Sequence, residues 1–213
     1  MEKGVQVLVD AGRYMLTNQL AWGTSGNISL RLDEKHMLIT ASGTYMGNLA
    51  SSDFVEFNIE TGQYDGARKA SKETPIHSGI YKNRPDIHAV IHSSPFYTTL
   101  MACSNETILS DLFIETMYYL EKIEYVDYFH PGSNELGQEI AEKSLSANII
   151  IMKNHGVTVI DDSVNEALMR LETLENACKM LITSKAAGIK LTEIPKMVVH
   201  EFLEESKYKP RKR

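Results

Sequence analysis

Apolar residues recur at helical spacing from the start of the chain. Val5, Leu8, Val9, Gly12, Leu16 and Leu20 predict an amphipathic helix over 3–20. A polar, glycine-bearing turn follows, Trp22 to Asn27, and then Ile28 to Leu32 alternates as a strand does. Asp33 to Lys35 reads as a hairpin tip and Met37 to Thr40 as the returning strand. A strand is predicted over 53–59, with Glu60 to Gly62 as its turn. Helices over 74–83 and 95–104 flank a strand over 87–92, set apart from the first helix by Pro85-Asp86. No element is assigned to 107–121. Strands are predicted over 124–129, 148–152 and 157–160, the last opened by Gly156. Ser133 caps a helix running to 145, with Glu135 in its first turn. The longest apolar stripe, Val164 to Ile182, predicts a helix over 163–187 that stops at Gly188. A final helix is predicted over 192–205.

Helices and strands alternate, but several strands meet through short turns. The pattern predicts an α/β fold with a mixed or mostly antiparallel sheet and helices around it, not a doubly wound parallel sheet. Neither a Rossmann fingerprint nor a Walker loop follows any strand. A chain of 213 residues suits one domain or at most two small ones; the reading is a single domain over 1–206 and a basic tail over 207–213. The tail is short and terminal, and reads as a frayed, solvated end. A net charge of −6 argues against a nucleic-acid surface. With no 18-residue apolar run and no signal peptide at the start, no membrane partner is expected, and a cytoplasmic location is. Cys103 and Cys178 sit in apolar helical contexts and are expected to be buried free thiols.

Three of the seven histidines look positioned. His92 ends the buried strand Ala89-Val-Ile, and His155 ends Ile149-Ile-Ile-Met-Lys-Asn. Gly156 beside it lets the backbone turn sharply. His77 follows Glu73 by four residues, so both project from one helix face. A strand-end histidine is either a hydrogen-bonded core residue or a ligand. Two such ends plus an adjacent carboxylate make a metal site worth testing, since zinc takes imidazole nitrogens and carboxylate oxygens and keeps one position open in catalytic sites. Thr24 to Asn27, Thr40 to Thr44 and Ala70 to Glu73 are polar stretches, two of them with a glycine. Each is either a plain turn or cap, or a place where backbone N–H groups and hydroxyls bind an anion, with Lys72 adding positive charge.

Four blocks in order, "WGTSGNISLR", "MLITASGTYMGNL", "SKETPIHSGIYKNRPDIHAVIHSS" and "MKNHGVTV", resemble the class II aldolase/adducin family over residues 5 to 185. The resemblance implies a three-layer α/β/α fold around a central, mostly antiparallel sheet. It implies a homotetramer with active sites at subunit interfaces, one divalent metal ion per subunit (zinc, with manganese or cobalt as alternatives) and a small phosphorylated sugar as substrate. By the same resemblance Asn27, Ser42, Gly43 and Ser71, with Lys72, would hold the phosphate. Glu73 would be the acid/base beside the metal, and His92 and His155 its ligands. His77 would support the site from the helix below. The implied reaction is metal-dependent carbon–carbon cleavage through a stabilised enediolate, most simply an aldolase forming dihydroxyacetone phosphate and an aldehyde. Alternatives are a decarboxylase of a keto sugar-acid phosphate, a 4-epimerase, or a non-catalytic adducin-like relative.

The chain departs from the family pattern in three places. The family reads His-x-His where this chain has His92-Ser93-Ser94, so Ser94 stands in a ligand position. The family's proton-donating tyrosine falls within 107–121, where Tyr118, Tyr119 or Glu115 are the replacements on offer, alongside plain interface packing. Ser71-Lys72-Glu73 is closer to the sugar-acid phosphate decarboxylases than to the aldolases.

Overall fold

Neighbouring positions on the central strands face opposite ways, as a period of two requires. Ile149 and Ile151 join one hydrophobic core, while Ile150 between them joins another. The computed structural model describes residues 2–65, 67–205 and 208–209. The strands are β1 (Asn27–Arg31), β2 (His36–Thr40), β3 (Phe54–Asn58), β4 (Tyr64–Asp65), β5 (Ala89–Ser93), β6 (Ile123–Val126), β7 (Ile149–Met152) and β8 (Gly156–Asp161). They form one sheet in the order β4-β3-β2-β1-β5-β8-β7-β6. Each pair is antiparallel except β6 with β7.

The helices are α1 (Glu2–Thr17), α2 (Thr74–Asn83), α3 (Phe96–Ala102), α4 (Ile114–Tyr119), α5 (Asn134–Lys143), α6 (Val164–Ala187) and α7 (Lys196–Glu205). Leu8 and Met15 of α1 and Leu171, Leu174 and Cys178 of α6 pack with Ile28, Ile91, Ile151 and Val159 on one face. Ile76 and Ile80 of α2 and Ile140 of α5 pack with Met37, Ile39, Val90 and Ile160 on the other. The result is the expected three-layer α/β/α arrangement. Among the described residues no helix is long and apolar enough to cross a membrane.

Local chemistry sets the boundaries. Ser163 caps α6 by accepting the Glu166 N–H, and Gly188 closes it in the left-handed region, φ 67°. The first helix stops at Thr17 rather than 20, because Gln19 turns left-handed, φ 59°. The last begins at Lys196 rather than 192: Pro195 lacks an N–H and keeps the residue before it out of helical geometry. Residues 107–121 contain the six-residue helix α4, too short for a periodic signal. Cys178 is buried as expected, and burial pushes its thiol up to about 12. Cys103 is not buried: it lies just past the end of α3 and is exposed. Most of the basic tail lies outside the described residues. Of its described part, Lys209 docks on the domain, its ammonium 3.0 Å from Glu166.

A buried ion pair ties α6 to the sheet. Arg170 donates from Nε and Nη2 to Asp161 Oδ2 at 3.0 and 2.7 Å, and from Nη1 to the Tyr119 carbonyl. Asp161 is fully buried and Arg170 is 6% exposed. Removing Arg170 takes away the two charge-assisted hydrogen bonds that the buried Asp161 Oδ2 accepts from it. Arg170→Ala is therefore expected to cost about 3–5 kcal/mol, read from urea unfolding midpoints. A loss below about 1 kcal/mol would mean that water reaches Asp161.

Candidate active site

Three adjacent strands and one helix start converge on a single cleft. Strand pairing sets Asn27 of β1 opposite His92 of β5, and His92 opposite Thr158 of β8. His155 closes the turn between β7 and β8, where Asn154 adopts φ 57°. Glu73 occupies the N-cap position of α2, and its N–H donates to Ser71 Oγ at 3.2 Å. Pro75 in the first helical turn needs no N–H there. Two glycines allow the backbones to close in. A Cβ on Gly26, φ 96°, would meet the His92 carbonyl at 2.7 Å; one on Gly156 would meet the Ser93 carbonyl at 2.5 Å.

The convergence brings Glu73, His92 and His155 together, their ligand atoms all within 4.8 Å of one another. Glu73 Oε2 lies 3.2 Å from His92 Nε2, and Oε1 lies 3.2 Å from His155 Nε2. The imidazole rings stand edge to face with centroids 4.8 Å apart. Burial opposes the charge on Glu73, but the nearby His92 and His155 rings and the Asn27 hydrogen bond outweigh it and hold the carboxyl at about 2. Burial also pushes the His92 imidazole below its ordinary range, so that ring is neutral at pH 7.

These residues fit a divalent cation. His92 Nδ1 is 3.0 Å from the Val157 carbonyl, which can only accept, so Nδ1 carries the hydrogen. Nε2 of the neutral ring is then a bare lone pair facing a carboxylate oxygen, an arrangement that a cation between them would relieve. Among the described residues, Glu73 Oε1 and His155 Nδ1 are buried without a hydrogen-bond partner; the Oε1 contact to His155 is close but not aligned as a hydrogen bond. Ligands about 2.0 Å from a tetrahedral ion stand roughly 3.3 Å apart, close to the spacing of these pairs.

The remaining expected residues divide. Ser42, Gly43, Ser71 and Lys72 line the same cleft, together with Thr24, Ser25, Gly26, Thr44 and Pro131. Gly43 is left-handed, φ 71°, and the Ser42 carbonyl is held by Arg68 Nη2 at 2.9 Å. Among the described residues lining the cleft, Lys72 is the one cationic side chain. Asn27 lines it too, but its amide is engaged with protein: Nδ2 donates to Glu73 Oε2 at 2.7 Å, and Oδ1 lies 2.5 Å from His77 Nε2. His77 is fully buried behind it. Ser94 Oγ donates to the His155 carbonyl at 3.1 Å, tying β5 to the β7–β8 turn.

Tyr118 and Tyr119 are not brought to the cleft by this chain. They pack on each other at 5.0 Å in the core between α4 and α6. Tyr119 is 1% exposed, and its hydroxyl meets Glu166 Oε2 at 3.1 Å and Lys209 Nζ. Sequence reasoning missed Ser29 and Tyr81, which stand behind His77. The signal was present: Ser29 follows Asn27 by two on a strand, and Tyr81 follows His77 by four on a helix.

Fold and site together describe an α/β/α protein with a Glu-His-His cluster beside a hydroxyl- and glycine-lined cleft. Residues 6–182 match the Class II Aldolase and Adducin N-terminal domain, and the chain belongs to that family. It is 29% identical over 190 residues to the 3-oxo-tetronate 4-phosphate decarboxylase of Haemophilus influenzae, covering 87% of this chain and 90% of that one. It is 32% identical over 160 residues to the L-fuculose phosphate aldolase of Methanocaldococcus jannaschii, covering 75% and 85%. The sugar-phosphate aldolase of Thermotoga maritima superposes with a TM-score of 0.81 at 25% identity, over 89% of this chain and 98% of that one.

Burial holds the His77 ring at about 3, against an ordinary 6.5. A depressed value means that the unfolded chain binds a proton which the folded chain refuses. The stability involved is complete above pH 6.5 and is lost as pH falls toward 3, at up to about 1.4 kcal/mol per pH unit. Urea midpoints measured from pH 7 down to pH 4 should fall accordingly, and His77→Gln should flatten the curve. An unchanged curve in that variant would locate the acid sensitivity elsewhere.

Proposed function

We propose that this chain is a divalent-metal-dependent carbon–carbon lyase acting on a small phosphorylated sugar, with aldol cleavage to dihydroxyacetone phosphate and an aldehyde as its reaction. The carrying observation is the Glu73–His92–His155 cluster opening into a cleft lined by Ser42, Gly43, Ser71 and Lys72. Zinc suits the mixed imidazole and carboxylate donor set, with manganese and cobalt as the other candidates. A bound ion would polarise the substrate carbonyl as a Lewis acid.

The chain's own residues supply the rest. The phosphate dianion sits against the Ser42–Gly43 turn and the Ser71 hydroxyl, with Lys72 balancing its charge. Glu73 removes a proton from the carbon beside the carbonyl, or returns one to it, through Oε1, the oxygen with no hydrogen-bond partner. Oε2 stays with Asn27, so the carboxylate is held while it works. The homotetramer with interface active sites belongs to this reading, since a group from a second subunit would take the proton of the substrate hydroxyl as the aldehyde forms, and return it in the reverse direction, a role that Tyr118 and Tyr119 do not bring to the cleft within one chain.

Decarboxylation of a keto sugar-acid phosphate is the second reading. It is favoured by Lys72, which stands next to Glu73 where a second anionic group needs a partner.

Elemental analysis after dialysis against zinc, manganese or cobalt is the first test. About one ion per subunit is expected in the wild type and in Ser94→Ala, and none in His92→Ala or His155→Ala. Retention by both histidine variants, or an empty wild type under all three metals, would count against the metal centre. Offered phosphoketoses and keto sugar-acid phosphates, the loaded protein should release an aldehyde or carbon dioxide. Glu73→Gln should lower kcat by about a hundred- to ten-thousand-fold. Full activity in that variant would remove Glu73 from the chemistry.

A further inference from the structure

Behind Glu73 runs a line of buried polar side chains, of which the proposed chemistry uses only the first, Asn27. Asn27 is 6% exposed, His77 0%, Ser29 1% and Tyr81 2%. They connect at 2.7 Å from Glu73 Oε2 to Asn27 Nδ2, 2.5 Å from Asn27 Oδ1 to His77 Nε2, 2.6 Å from His77 Nδ1 to Ser29 Oγ, and 2.9 Å from Ser29 Oγ to Tyr81 Oη. We infer that Tyr81, Ser29 and His77 are positioning residues: a one-way hydrogen-bond chain that fixes the Asn27 amide and, through it, the working orientation of the Glu73 carboxylate. The inference rests on the reading of Glu73 as the acid/base.

Each donor is forced by the one before it. A carboxylate accepts only, so the Asn27 atom facing Glu73 is the NH2 group. Its carbonyl oxygen then faces His77, and an oxygen at that distance requires Nε2–H. The neutral ring leaves Nδ1 as an acceptor, so Ser29 must donate to it. The serine has one hydrogen, now used, so toward Tyr81 it can only accept; the Tyr81 hydroxyl lies 2.9 Å from it and 3.3 Å from the His88 carbonyl, the longer contact. Tyr81 is held in turn by Arg31, whose guanidinium lies 4.6 Å over the ring and whose Nη2 donates to the Tyr81 carbonyl at 2.7 Å. From Ser29 through His77 and Asn27 each linking hydrogen therefore points toward Glu73, and bonds aligned this way polarise one another.

The opposite direction is closed. Turning Asn27 over would set its carbonyl against the carboxylate and its NH2 against a ring N–H. The line is not a proton wire either, because a neutral amide in the middle neither gives up nor takes a proton. What it can transmit is orientation. The carboxylate has one oxygen fixed by Asn27 and one free of hydrogen bonds among the described residues, and the free one faces His155.

The test compares two replacements at His77 with one behind it. The Nε2 of Gln reaches the place of the ring Nε2 and keeps the donor; Leu removes it. His77→Leu is expected to lower kcat on the order of a hundredfold with KM within about threefold, while His77→Gln keeps most of the rate. Ser29→Ala, which deletes one hydroxyl, should lower kcat by about tenfold and serves if His77→Leu does not fold. Equal losses in the Gln and Leu variants, or full activity in His77→Leu and Ser29→Ala, would overturn the inference. A second readout needs neither turnover nor metal: the Asn27 side-chain amide resonance, assigned by its absence in Asn27→Asp. It should exchange slowly with solvent in the wild type and His77→Gln, and quickly in His77→Leu or Ser29→Ala. An inactive, metal-free wild type would sink the proposed function alone. Unchanged amide exchange in both the Leu and Ala variants would sink the chain.

Discussion

A carboxylate held in the interior next to two imidazoles is the constraint on which the rest depends. Glu73 is 8% exposed, and a charge that deep is costly unless it is paired and hydrogen-bonded. Its partners cannot come from nearby sequence. Asn27 is 46 positions away, and the Val157 carbonyl that orients His92 is 65 positions from that ring. Only a sheet that sets β1, β5 and β8 side by side can supply them. The strand order that looks arbitrary along the chain is what surrounds this one side chain.

Antiparallel pairing does the positioning economically. Opposite residues in such a ladder point to the same face, so pairing Asn27 with His92 aims both side chains at the same place. The glycines at 26 and 156 let loop and strand approach the carbonyls of residues 92 and 93. Ser94 adds a bond from the end of β5 to the His155 carbonyl. Read from the sequence, Ser94 is the place of a lost ligand. In the structure its hydroxyl braces the residue that remains.

Much of this was legible beforehand. The helix over 74–83 matches its predicted bounds, because Pro75 and the apolar spacing of Ile76, Ile80 and Tyr81 mark it from both sides. The long helix closed by Gly188 was equally plain. The grouping of Glu73, His92 and His155 followed from strand ends and motif order. Other features were not readable, for definite reasons. A six-residue helix at 114–119 completes too few turns to show a period. Cys103 lies at a helix end, where side-chain direction is set by tertiary packing rather than by pattern. The inward turn of Asn27 depends on what stands opposite it across the sheet, which no local window contains.

Sheet topology also dictates an order of assembly. The β1–β2 and β2–β3 pairs join neighbours in sequence and can form early, whereas β1–β5 and β5–β8 each close a long loop. His155 is the last of the three clustered residues to leave the ribosome, and β8 completes the sheet after it. During synthesis the nascent chain therefore holds Glu73 and His92 for a time without their third companion. Assembly of the cluster is consequently a late event, and a chain interrupted before Gly156 lacks the strand that completes the site, however well its first hairpins have formed.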